Sequence, residues 1–341
     1  MPTLSMSLPW HRSNLERILA EGAALPHALL IRGPAGIGKL AFAQAIAKAL
    51  VCEQRGREGT ACGQCRACDW VEQRSHPDVR VVEPDTLAEP VEDDAGEKKR
   101  GSHQIGVEQV RDLADFVNLS SHRGRAKVIV VHPAEALNPN AANALLKSLE
   151  EPPPATYFLL VSHRWHQLLP TIKSRCRQVL LPLPDLETAR AWLAEQGVSH
   201  PEVALAQAGG APVSAAGLGA EYWEQRAAFV REIAAADFDP LRSAERLRDF
   251  AVADAVRWLQ QWSYDMALSA SVGRARYNPD FAEAVAHAAR RAGALETLRF
   301  HRRMLGWQRV IHHPLNPRLF LEQLLLSYAD LLRGAGRELS A

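Results

Sequence analysis

One stretch limits what this chain can fold into more than any other. Ala28-Leu29-Leu30-Ile31 is a compact apolar strand, Gly33-Pro34-Ala35-Gly36-Ile37-Gly38-Lys39-Leu40 is a glycine loop, and an alanine-rich helical run follows from Ala41 to about Val51. Strand, glycine loop and helix in that order form the context of a phosphate-cradling P-loop. Glycines let backbone N–H groups curl around an oxyanion, and the helix N-terminus adds its partial positive charge. Gly33, Gly36 and Gly38 are the candidate cradle, and Lys39 would reach the outer phosphates of a nucleotide. The residue after the lysine is normally Ser or Thr, whose hydroxyl ligates Mg²⁺. Here it is Leu40, which cannot bind a hard cation. The loop is shaped for phosphate but lacks its usual metal ligand. A loop that only preserves the fold and a loop that still binds ATP both remain open.

Directly after this helix come Cys52, Cys62, Cys65 and Cys68, two successive C-x-x-C spacings with a fourth cysteine upstream. The chain has 5 cysteines, and four of them crowd this segment. In a reducing compartment that favours metal over disulfides. An all-cysteine set with no open position suits structural Zn²⁺. A redox pair would normally open a helix in a thioredoxin-like unit, which is absent here; an iron–sulfur cluster is the other competitor. Ser75-His76-Pro77-Asp78 ends the module, which spans about 52–76, and His76 is read as structural beside four thiolates. Residues 83–104 are charged and turn-rich with no apolar period, a mobile surface loop. A helix then begins near Val107. Val128-Ile129-Val130-Val131 is a continuous β-branched run, the pattern of a central strand in a parallel sheet.

From Asn143 to Cys176 the chain reads in three pieces. Leu145, Leu146 and Leu149 lie on one helical face, and Pro152-Pro153-Pro154 stops that helix. Tyr157 to Val161 is a buried-strand pattern, and Thr171-Ile172-Lys173-Ser174-Arg175-Cys176 closes a short helical segment. A guanidinium held there stays charged and presents a planar fork that suits phosphate. The bland alternative is a solvated cationic face.

LLKSLEEPPPATYFLL followed by SRC resembles the clamp-loader branch of the AAA+ ATPases. LPWH near the start, the P-loop position, the cysteine module, SHPD and NPRLFLEQLLL near the end fit that family in order. The resemblance implies an α/β AAA+ P-loop domain, a parallel sheet flanked by helices, over 1–182 with an inserted zinc module. It implies a small helical lid over 183–217 and an all-α collar over 218–341. It also implies that Arg175, with Ser174 beside it, is an arginine finger for the γ-phosphate of ATP bound to an adjacent subunit. The family's Asp-Glu pair should follow the strand ending at Val131, but His132 and Pro133 stand there, and Glu135 comes too late in the pattern. Ser162-His163 holds the position that senses the γ-phosphate, and the sensor arginine is missing, since no arginine occurs between Arg190 and Arg226. Such a chain would not hydrolyse ATP well but could complete a neighbour's site.

The implied partners are clamp-loader ATPase subunits of the gamma/tau type and a delta subunit in a hetero-oligomeric ring. The sliding clamp and primed DNA would be met through that complex. Composition agrees with a collaborative role. With 40 basic and 39 acidic residues the formal net charge is +1, which argues against a strong electrostatic footprint for nucleic acid in this chain alone. The N-terminus lacks a signal-peptide pattern and no apolar run approaches the ~20 residues needed to span a bilayer, so a cytoplasmic location without membrane contact is expected. From Tyr222 onward apolar stripes recur at helical spacing, with Trp258 and Trp307 read as core. Two other functions compete: an autonomous AAA+ ATPase, motivated by Gly33 to Lys39, and a zinc-dependent DNA-binding adaptor, motivated by the cysteines.

Overall fold

A computed structural model describes residues 8–56, 59–87, 102–119, 125–307 and 316–338. Residues 88–101, the centre of the expected 83–104 loop, lie outside the described residues. The chain forms two compact units, 1–188 and 189–341.

The first unit is built on five parallel strands in the order β2-β3-β4-β1-β5. Along the chain come α1 (Arg12–Leu19), β1 (Ala28–Arg32), α2 (Lys39–Val51), α3 (Arg66–Glu72), β2 (Val79–Val82), α4 (Val107–Asn118), β3 (Lys127–Val131), α5 (Pro139–Glu150), β4 (Thr156–Ser162), α6 (Pro170–Arg175) and β5 (Arg177–Leu180). β1 lies between β4 and β5, with Leu29 opposite Leu159 on one side and Arg177 on the other. The first four residues of β1 and all five of β3 are buried, as their near-continuous apolar sequence requires in a sheet covered on both faces. One face is filled by Leu30, Ile129 and Phe158 against Val110, Leu113 and Leu145 from the flanking helices.

Local chemistry sets the helix limits near the sites. Asn138 caps α5 by accepting from the Ala141 N–H at 2.8 Å, with Pro139 in the first turn. The three prolines after Glu151 end the helix, and Ala155 at φ 55° turns the chain into β4. Gly33 is required by close packing: a Cβ there would lie 2.1 Å from the Leu181 carbonyl oxygen.

The second unit is helical: α7 (Leu186–Glu195) leads in, then α8 (Pro201–Gln207), α9 (Pro212–Ala216), α10 (Ala220–Ala234), α11 (Pro240–Arg246), α12 (Val252–Val272), α13 (Ala282–Ala292), α14 (Ala294–Trp307) and α15 (Pro317–Glu338). Its core gathers Phe229, Trp258, Trp262, Phe300 and Tyr328, with Trp307 partly buried against it. The buried Arg226 is neutralised by Asp280 at 2.7 and 2.9 Å and donates to Asn278 at 2.8 Å. Gln207 accepts from the Tyr222 hydroxyl at 3.0 Å through its side chain and from Gln261 at 2.9 Å through its carbonyl. Residues of the expected lid and collar thus share one hydrogen-bonded body. No helix among the described residues is long and apolar enough to cross a membrane.

Candidate functional site

The strand-ends of a parallel sheet define two edges, and the functional residues divide between them. At the C-terminal edge β1 runs into the glycine loop. Gly36 and Gly38 have φ of 73° and 86°, conformations that suit glycine, and Gly38 is the N-cap of α2. Leu8-Pro9-Trp10-His11 braces this loop: the Ile37 carbonyl accepts from Trp10 Nε1 at 2.9 Å and from His11 Nε2 at 2.7 Å. Lys39 is only 2% exposed, and its ammonium donates to the Pro34 carbonyl across the loop. Burial pushes its pKa down to about 8, partly offset by the charge of Glu135.

Glu135, although it comes late after the strand, is part of this edge. The short turn Ala134–Ala136 after β3 swings it back to the end of β4, where it accepts from the His163 N–H at 2.9 Å and the Arg164 N–H at 3.0 Å. Burial alone would raise this carboxyl. The nearby Ser162 hydroxyl, these backbone donors and His163 outweigh burial and hold it below the usual carboxylate range. Ser162 influences the carboxylate electrostatically, although its buried Oγ stops short of a formed hydrogen bond. A carboxylate engaged by two fixed donors braces the edge and is poorly placed to serve as a base. His132 Nδ1 lies 3.1 Å from Glu83, which also pairs with Arg74 at 3.5 Å, and the His132 and His163 rings meet edge to face at 5.3 Å. Glu83 belongs to this network and has a side chain only 9% exposed, so the first residue of the expected mobile loop is fixed.

This edge carries a phosphate-shaped loop without a magnesium shell. Leu40 offers an alkyl chain, His132 is committed to Glu83, and Pro133 has nothing to donate or abstract. The loop fits the phosphates of a nucleotide; it does not fit their metal. His11 and His163 are both held down to about 4, by burial first and by the Lys39 charge as well. Unfolded, each ring would take up a proton near 6.5. Their contribution to stability is full above pH 6.5 and is lost as pH falls toward 4. Thermal melts between pH 7.5 and 4.5 are expected to show the midpoint dropping below pH 6.5. His163→Asn should flatten that slope, by at most about 1.4 kcal/mol per pH unit.

Arg175 lies at the opposite edge. It ends α6, and two residues later Arg177 pairs with Leu29 near the start of β1. The length of β1, five residues at about 3.3 Å each, separates it from the chain's own glycine loop. Its side chain is 32% exposed. Nε donates to Glu150 Oε1 at 2.7 Å, Nη2 donates to the same oxygen, and Nη1 donates to the Thr171 carbonyl at 2.9 Å. Ser174 Oγ donates to the Thr171 carbonyl at 3.0 Å and sits 3.4 Å from Nη1. Lys173, by contrast, lies 5.6 Å over the Trp165 ring.

The four cysteines meet between α2 and α3. Cys52 follows α2, Cys65 is the N-cap of α3 and Cys68 lies in its first turn. All four sulfurs lie within 4.8 Å of one another, with Cys52–Cys65 and Cys62–Cys68 both at 3.9 Å. Sulfurs around a tetrahedral Zn²⁺ at about 2.3 Å would stand roughly 3.8 Å apart. Backbone N–H groups already point at the sulfurs, Cys62 N to Cys52 Sγ at 3.2 Å and Cys65 N to Cys62 Sγ at 3.3 Å. Burial raises the Cys52 and Cys68 thiols. Burial also acts on Cys65, but N–H donors overcome it and lower that thiol to about 6. The group could hold a metal ion. His76 stands outside it, accepting the Asp78 N–H at 3.0 Å and meeting Trp70 edge-on.

A sequence profile described as "DNA polymerase III, delta subunit" matches residues 11–185. The DNA polymerase III subunit delta' of Pseudomonas aeruginosa is 44% identical over 230 residues, 66% of this chain and 65% of that protein. The subunit of the same name from Escherichia coli is 34% identical over 201 residues, 58% of this chain and 55% of its own. The chain thus spans less than two thirds of the length of these relatives. The Escherichia coli DNA polymerase III subunit tau is 37% identical over 194 residues, 55% of this chain and 27% of that protein. With half the chain, including the glycine loop, the cysteine group and Arg175, inside the matched profile, the chain belongs to the DNA polymerase III delta-subunit family.

Proposed function

We propose that this chain is a non-hydrolysing subunit of the DNA polymerase III clamp loader, the assembly that places a sliding clamp on primed DNA. Arg175 completes the ATP site of a neighbouring gamma/tau-type subunit, with Ser174 helping to orient it. The observation that carries this reading is the division of the sheet edges. A guanidinium about one third exposed stands at one edge, and the chain's own phosphate loop, without magnesium ligands, stands at the other. Separated in this way, Arg175 serves a phosphate on another molecule.

Each residue then has a stated part. Gly33, Gly36, Gly38 and Lys39 keep a phosphate-shaped loop that braces the sheet edge. Glu135 neutralises Lys39 without acting as a base. Arg175 supplies positive charge where charge develops on a neighbour's γ-phosphate, without itself moving a proton. Cys52, Cys62, Cys65 and Cys68 hold a structural Zn²⁺, which when bound ties the 52–76 segment to α2. Residues 183–217 serve as lid and 218–341 as the collar that meets the other subunits, including a delta subunit.

The test is a pair of turnover measurements. The chain alone is expected to show no Mg²⁺-dependent ATP hydrolysis above background, whereas adding it to gamma/tau-type and delta subunits should raise their DNA-stimulated turnover. Robust hydrolysis by the isolated chain would establish the competing reading, an autonomous ATPase.

A further inference from the structure

Glu150 sits where electrostatics disfavours it. It is the last residue of α5, at the end whose unsatisfied carbonyls give the helix a partial negative charge. A second acid, Glu151, follows at once. Lys147 puts one cation in the same last turn, yet the carboxylate is engaged from 25 residues further along the chain: Arg175 donates to Glu150 Oε1 through both Nε and Nη2.

We infer that Glu150 is the positioning residue of the finger, holding the Arg175 guanidinium in the orientation in which it meets a neighbour's phosphate. This rests on the reading of Arg175 given above. Glu150 takes the inner edge of the guanidinium, formed by Nε and Nη2. Nη1 is turned to the Thr171 carbonyl, with Ser174 Oγ at the limit of contact. These four contacts use at most four of the five N–H groups of an arginine, so at least one on Nη2 remains for an acceptor. An arginine otherwise samples many rotamers, and freezing it before phosphate arrives removes that entropy from the reacting step. The pair is half exposed, with side chains 32% and 48% accessible, so it contributes little to folding stability and its function is placement. Both bonds use one oxygen of Glu150, so a glutamine can keep the geometry without the charge.

The experiment compares Glu150→Ala, Glu150→Gln and Arg175→Ala chains, each assembled with gamma/tau-type and delta subunits. ATP turnover is read as separate kcat and KM, with a thermal melt of each chain. Glu150→Ala is expected to lower kcat at the one site that Arg175 completes by about five- to tenfold, and bulk turnover by no more than Arg175→Ala does, with KM for ATP and the melting midpoint unchanged. Glu150→Gln should recover kcat to within about twofold of the parent. If Arg175→Ala lowers kcat but Glu150→Ala does not, or raises it, the positioning role is wrong while the finger stands. A glutamine variant as impaired as the alanine variant also overturns it. If Arg175→Ala itself has no effect, the finger reading fails and this inference goes with it.

Discussion

Arg175→Ala is expected to abolish nearly all the turnover that this chain confers on a neighbouring ATP site while leaving the assembly intact. Arginine fingers supplied in trans contribute roughly 10³–10⁵ in rate in GTPases, and the lower end, about 10³-fold at the one site involved, is the expectation here. The effect should fall on kcat, because the guanidinium meets charge that grows as the γ-phosphoryl group leaves. Bulk turnover of a loader with several sites will fall less, by the share of flux that passes through that site. The complex should still form, because Arg175 is a side chain about one third exposed at the end of a six-residue helix and lies outside the buried core. Arg175→Lys should be nearly as damaging: a lysine restores charge but not the fork that holds Glu150 and phosphate together. Steady-state ATPase and size-exclusion profiles of wild-type and variant assemblies check both parts. Unchanged turnover would remove the finger assignment.

The second large effect is loss of metal. The purified chain is expected to carry close to one zinc per molecule by elemental analysis, and Cys65→Ser or a strong chelator should remove it. The segment that depends on it is slight. Its helix, α3, has seven residues, well short of what holds a helix in water by itself. Apart from the cysteines, its anchoring comes from Ala67, wholly buried, from His76, buried against Trp70 at the segment's end, and from the ion pair of buried Lys48 with Glu72. Structural zinc binds zinc-finger peptides with roughly 10–16 kcal/mol of apparent free energy. Removing it should therefore open residues 52–76 to proteolysis while the sheet, whose strands are buried by their own helices, stays folded. Limited proteolysis followed by mass spectrometry reads this directly. Loss of DNA binding by Cys65→Ser with an unaltered proteolysis pattern would instead favour the zinc-dependent adaptor.

What could be read along the chain was whatever depends on neighbours in sequence. The glycine loop was legible because its residues are contiguous and its strand and helix adjoin it. The cysteine group was legible because Cys62, Cys65 and Cys68, in overlapping C-x-x-C spacings, start only ten residues past Cys52 and can converge with it on one point without distant help. The strand at Val128 to Val131 was legible because burial on both faces leaves a continuous apolar run. Glu135 was not legible, because its place on the His163 and Arg164 N–H groups depends on a turn that returns the chain to the end of β4. The Glu83 and His132 pair was hidden for the same reason: its members come from the ends of two neighbouring strands, 49 residues apart. The two-unit division, with Gln207 bonded into the helices after it, likewise rests on contacts between elements remote in sequence.

By itself the sequence determined which residues stand together along the chain: a glycine loop with Leu40 after its lysine, four clustered thiols, and Arg175 in the segment after a proline-broken helix. Only the tertiary structure decided where that chemistry points. Strand pairing puts the start of β1 beside the start of β5 and its end beside Ser162, and so assigns Arg175 and Lys39 to opposite edges. Which edge a residue occupies follows from hydrogen-bond register between strands far apart in sequence, and no local spacing encodes it.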